Sequence, residues 1–174
     1  MSWGSSKVRF AGWGLLLAGL LAGLLAVAPA PAPQTQVVQN PKLVRQYDKL
    51  TANAAKQQGP KRAETLAKMA ELEFDFARAG YHAQQSQLGA QQLDLASQHA
   101  DQACALLQAE TARGKTNGMK NVEISLQKIS FGLKDLAQQV HYLERPKVET
   151  AIHHFADLRS NLLTWMFAPK HQLL

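Results

Sequence analysis

The chain has 174 residues, enough for one domain of ordinary size, and with only 7% aromatic residues and thinly spread Val, Ile and Thr it favours helices packed through small and aliphatic side chains. The formal charge of +6 falls to a mild +4 once Lys7 and Arg9 are set apart with the N-terminal segment, and the single cysteine, Cys104, excludes an internal disulfide. The expected fold class is all-α: an antiparallel bundle of four or five helices after an N-terminal signal or anchor helix.

Residues 1–10 carry Lys7 and Arg9 and no acid, and Ala11 to Ala28 is an uncharged run rich in Leu, Ala and Gly. A basic start followed by an apolar middle is the layout of an export signal, so residues 1–28 are expected to act as a signal peptide or a signal anchor. Each candidate cleavage site is followed by proline (Ala28 by Pro29, Ala30 by Pro31, Ala32 by Pro33), which signal peptidase disfavours. An uncleaved anchor therefore stands beside the cleaved form. As a helix the 18 residues from Ala11 to Ala28 would span ~27 Å, close to the ~30 Å hydrocarbon core of a bilayer. Gly19 and Gly23 give a small-xxx-small spacing that would let two anchors pair. No cysteine follows the run, so no site of lipid attachment is expected.

Residues 29–40 read as a Pro/Ala-rich spacer with a polar extension, semi-rigid and uncharged. Because the stretch next to the apolar run bears no charge, it does not oppose translocation, and the bulk of the chain is expected on the periplasmic side of the cytoplasmic membrane, anchored or released.

The helical-bundle domain is expected over 41–168, with a tail at 169–174. Asn40-Pro41 is a cap followed by proline at the first helical position, and this first helix should run to about Gln57 and end at Gly59-Pro60, with Leu43, Tyr47, Leu50 and Ala54 as its apolar stripe. From Lys61 the positions Leu66, Ala70, Phe74, Ala77 and Tyr81 recur at helical spacing, and Leu88, Leu95, Ala96, Ala103 and Leu106 extend the pattern towards Arg113-Gly114. A single helix that long without a heptad is less economical than a hairpin, which places a break between about 80 and 88. Val122, Leu126, Ile129, Leu133, Leu136, Val140 and Leu143 then alternate steps of four and three, the mark of one narrow packing seam. Pro146 interrupts this seam and pushes Arg145 out of helical conformation. The last helix carries Val148, Ile152, Phe155, Leu158, Leu162 and Trp165 and stops at Ala168-Pro169.

The run Glu144-Arg145-Pro146-Lys147-Val148-Glu149-Thr150-Ala151-Ile152, followed by Leu158-Arg159, Leu162-Leu163 and Trp165-Met166-Phe167, resembles the C-terminal part of a group of uncharacterised secreted bacterial α-helical proteins. Glu71-Leu72-Glu73-Phe74 and the Tyr81 to Ala100 hairpin resemble an earlier part of the same group, so the likeness covers most of 62–167. It rests on packing positions and implies no activity. The segment around Gly80, with Tyr81 and Ala90, also resembles one tetratricopeptide unit, a local likeness only, since such folds need about three units to bury their faces.

Catalytic signatures are missing: there is no Gly-x-Ser-x-Gly elbow, no Gly-rich phosphate loop, no Cys paired with His and no haem attachment sequence. Glu71, Glu73 and Asp75 alternate along a helix and do not form a carboxylate pair. Glu149 and His153, and His141 and Glu144, have spacings that bundles use for metals, but the paired Glu-x-x-His pattern of di-iron bundles is missing, and surface placement is the better account. Neither a metal nor a cofactor is expected, and the chain reads as a non-enzyme. Cys104, within Ala103-Cys104-Ala105-Leu106-Leu107, is expected to be a small buried side chain.

Interaction surfaces are what remains. Six basic residues lie between Lys42 and Arg62 against the one acid Asp48, and of these Lys42, Arg45 and Lys49 are candidate contact residues for phosphates, with a plain solvated face as the alternative. Between Ala79 and Ala112 there is no Lys or Arg while Gln recurs eight times, a neutral surface suited to another helix or to solvent. Trp165, Met166 and Phe167 form a candidate docking knob at the end of the last helix. The function expected is a non-catalytic exported or membrane-anchored module that binds an unknown protein partner or itself, held to the membrane through residues 11–28 if uncleaved. A periplasmic ligand-binding or metal-binding bundle is the alternative. Nucleic acid is disfavoured as a partner because Tyr47 is the one aromatic residue interleaving the basic stretch.

Overall fold

Punctuation in the sequence falls where the chain turns. Gly59 adopts a φ of 54°, a conformation open to glycine and strained for other residues, so the backbone can leave one helix and enter the next within three residues. Pro60 follows in the first turn of the new helix, where its missing N–H costs nothing. The computed structural model describes residues 41–113 and 116–167. Among these are five α-helices and no strand: α1 (Pro41–Lys56), α2 (Gly59–His82), α3 (Ser86–Thr111), α4 (Met119–Gln139) and α5 (Arg145–Phe167). The expected signal or anchor segment, the spacer, the Asn40 cap and the tail lie outside the described residues. No helix among the described residues is long and apolar enough to cross a membrane.

Consecutive helices run antiparallel, and the side-chain partners give the register. Glu110 lies beside Gly59, His99 beside Glu73 and Gly89 against Gly80, so α3 returns along α2. By contrast α4 climbs in the same direction as α2, with Gly118 near Pro60, Lys128 bonded to Glu71 and Gly132 under the ring of Phe74. In the same way α5 follows α3, through Lys147 with Asp94 and His154 with Asp101, each pair 53 residues apart. The result is two α-hairpins, α2–α3 and α4–α5, laid side by side, with Arg159 of α5 bonded to Glu123 of α4 at 2.7 Å. Helix α1 packs on α2 alone among the described helices, through Tyr47, Leu50 and Ala54.

The expected apolar positions of α2 are all buried, and Val122, Leu126, Ile129, Leu133 and Leu136 of α4 are completely enclosed with Phe155 and Leu162 of α5. Three positions depart from the sequence reading. The stripe of α3 that faces the core is Leu93, Ala96, Ala100, Ala103 and Leu107, and Leu95 is exposed. The alanines win this side because α2 lies too close for larger groups. Leu143 is 67% exposed, because α4 stops at Gln139 and Val140 is already extended with ψ of 154°. Lastly, Arg145 opens α5 instead of leaving the helix, with Pro146 again in a first turn where no N–H is needed.

The backbones of α2 and α3 approach closely at Gly80 and Gly89. A Cβ on Gly80 would sit 2.8 Å from the amide nitrogen of Gly89, and one on Gly89 would sit 2.9 Å from the Tyr81 ring. Gly80→Ala would gain up to ~1 kcal/mol of helix propensity at an open site. Here the obstructing atom is backbone, so the substitution is expected to cost about 1–3 kcal/mol as overpacking, read as a lower urea midpoint with an unchanged m-value.

Candidate functional site

Among the described residues Glu73 is the one carboxylate completely enclosed, 1% exposed on the face of α2 between α1 and α3. Its two oxygens have different partners: the Tyr47 hydroxyl of α1 donates to Oε1 at 2.6 Å, and Nδ1 of His99 on α3 lies 2.8 Å from Oε2. A buried carboxylate is costly unless its lone pairs are met, and here one group from each neighbouring helix meets them. The Tyr47 ring also tilts against Phe76, with centroids 6.4 Å apart. Burial, together with the bond to and charge of Glu73, pushes the Tyr47 hydroxyl well above its ordinary pKa, so it stays a donor. The network is a clasp between three helices, and its His99 is partly covered.

A cleft of about 470 Å³ opens where the α2–α3 turn meets the α4–α5 turn. Tyr81, Leu136 and Val140 supply its apolar wall, and His82, His141 and Glu144 its ionisable groups. The Tyr81 ring is held over Gly89, and its hydroxyl is buried without a hydrogen-bond partner. Burial, with the charges of Glu144 and Asp94, pushes this hydroxyl up to about 12. Gln84 reverses the chain at the cleft edge with a φ of 58°. The rings of His141 and Tyr142 tilt against each other beside it, with centroids 4.4 Å apart and Tyr142 68% exposed.

The residues singled out in the sequence are not brought together. Lys42, Arg45 and Lys49 are all exposed on α1, which touches α2. Trp165 and Met166 are half-buried against the core at the end of α5, and Phe167 is 76% exposed beyond them. Since α5 packs on α3 and α4, the two groups belong to helices that do not meet. His153 and Glu149 are exposed, and no group of three metal-ligating side chains occurs among the described residues. His154 lies 3.0 Å from Asp101, near enough for a charge contact but not aligned as a hydrogen bond. Cys104 is buried, and burial raises its thiol to about 12, which leaves it unreactive. The glutamines from Gln84 to Gln108 face solvent, apart from the half-buried Gln92.

One surface escaped the sequence reading. Ile124 and Phe131 are seven residues apart on α4, opposite its buried seam, and Phe131 is 57% exposed. The signal was a pair of large apolar residues off the seam at helical spacing. Comparison with protein-family models, curated proteins and solved structures gives no match.

The two tyrosines are expected to answer substitution with opposite signs. Tyr47→Phe removes a hydrogen bond to a buried carboxylate and should cost about 1.5–3 kcal/mol, with faster amide exchange across α1. Tyr81→Phe removes a hydroxyl that has no partner and should leave stability equal or raise it by up to about 1 kcal/mol at neutral pH. Because the folded pKa of Tyr81 is raised from 10.0 to about 12, the neutral hydroxyl favours the folded state fully below pH 10, and that contribution is lost as pH climbs towards 12. Urea titrations from pH 7 upward should therefore show a shallower alkaline decline in Tyr81→Phe than in the unsubstituted protein.

Proposed function

We propose that the chain is a non-catalytic helical module that docks protein, either a partner or a second copy, on the outer side of the cytoplasmic membrane to which residues 11–28 anchor it. The observation that carries the docking role is the apolar pair Ile124 and Phe131 on the outward face of α4, rimmed by Lys120, Gln127, Lys134 and Gln138. An apolar centre with a polar rim is the composition of a protein contact, and the covered core of α4 lies on the other side of the helix. The proline after every candidate cleavage site favours the anchored form in this reading.

A second reading is favoured by the Tyr81 cleft: a binder of a small polar ligand, in which the ligand supplies the partner that the Tyr81 hydroxyl lacks. Such a ligand would raise the melting temperature of the unsubstituted chain and not that of Tyr81→Phe.

The double variant Ile124→Ser/Phe131→Ser tests the docking role. Phe131 is 57% exposed and Ile124 37%, so the melting temperature should fall modestly through the covered part of Ile124, while association of the still-folded variant, measured by sedimentation for self-pairing and by affinity purification for a partner, should weaken about tenfold or more. Association unchanged in the variant would assign the pair to ordinary exposed surface.

A further inference from the structure

The four cations of α1 fall on one line. Lys42, Arg45, Lys49 and Lys56 follow one another at intervals of three, four and seven residues, which places them within about 60° of one another around the helix. The packed stripe of Leu43, Tyr47, Leu50 and Ala54 is centred about 140° away. All four cations are exposed, and Arg45, Lys49 and Lys56 form no ion pair among the described residues. Because α2 is the sole neighbour of α1, nothing among the described helices covers this stripe. Lys61 and Arg62, exposed in the first turn of α2, extend the positive field past the turn.

We propose that this stripe is a docking surface for the anionic phosphates of a lipid bilayer, holding the bundle against the membrane with α1 as the contacting layer. The inference rests on the anchor reading of residues 11–28. Residues 29–40 are uncharged and number twelve, a tether of at most about 40 Å, so in an anchored chain the stripe stays within reach of the bilayer. The apolar face of α1 is occupied by α2, so the helix does not insert; its contact is electrostatic and short-ranged. Where an apolar anchor already fixes the chain to the bilayer, a polybasic surface determines how the attached domain lies against an anionic leaflet. Nucleic acid fits less well, since the stripe carries no aromatic side chain on which a base could stack.

The test uses the full chain inserted into nanodiscs of phosphatidylcholine alone or with one-third phosphatidylglycerol. Acetylation rates of Lys49 and Lys56 are read by mass spectrometry against Lys134 on the outer face of α4. Each cation near an anionic surface contributes about fivefold in partition, so Lys49 and Lys56 should be slowed several-fold relative to Lys134 on the anionic discs, and not on the neutral ones. The slowing should vanish at high salt. Arg45→Glu, which alters the stripe by two charges and so weakens its partition by about an order of magnitude or more, should remove most of the slowing. Equal rates on both discs overturn the proposal. Slowing by polyglutamate with none on anionic lipid also overturns it, assigning the stripe to an acidic protein. Failure to insert into either disc, with the chain recovered in solution, sinks the anchor reading alone. Flotation of that soluble chain with anionic against neutral vesicles then decides the stripe, and no anionic preference would refute it.

Discussion

The contact on which the other arrangements depend is the close approach of α2 to α3 at Gly80 and Gly89. With no side chain at either position, the two backbones meet where a single methyl group would collide with main-chain atoms. This fixes the register of the hairpin, since a slide by one residue would bring Cβ atoms into the gap. From that register the rest of the α2–α3 seam follows. Small residues continue down α3 as Ala96, Ala100 and Ala103, all enclosed, and the longer Leu66, Phe74 and Tyr81 of α2 fill the space beside them. Two to three turns from the glycines the same register sets Glu73 opposite His99.

Glu73 shows how a polar group can specify an apolar assembly. Its burial is unfavourable by several kcal/mol before its partners are counted, and a hydrophobic residue of similar size would leave the core at least as stable. What the carboxylate adds is directionality. Only one seating of α1 places the Tyr47 hydroxyl on Oε1 while His99 meets Oε2. The apolar contacts of α1, through Leu50 and Ala54, are few and tolerant of sliding, so the hydrogen bond supplies the register that packing alone does not.

Helix boundaries were legible because they are written locally. Gly59-Pro60 marks its own turn through backbone conformation, and the break near 83–85 follows from helix length. The seam of α4 was legible in its rhythm, although Leu143 continues the rhythm beyond the helix end and is exposed: periodicity reports spacing and is blind to where the backbone stops turning. In α3, leucine and alanine offer two competing stripes. Hydrophobicity favours the one with Leu95, whereas the proximity of α2 selects the one with the alanines, a choice made by tertiary distance. The Tyr47–Glu73–His99 clasp was hidden for a different reason. Its members stand 26 residues apart in each step, and no local pattern distinguishes Glu73 from Glu71 or Asp75 until the neighbouring helices are in place.

The surfaces of α1 and α4 divide the two forms of attraction available to a small helical domain. The outward face of α1 is cationic and its apolar face is spent on α2, so any contact it makes keeps its water, acts through charge and weakens with salt. The outward face of α4 carries Ile124 and Phe131 within a polar rim, so a contact there gains by excluding water and is little affected by salt. Both helices pack on α2, which lies between them as a common wall. The two faces would therefore differ in what they ask of anything they met: a charge contact tolerates sliding along its support, whereas an apolar contact requires a matching shape.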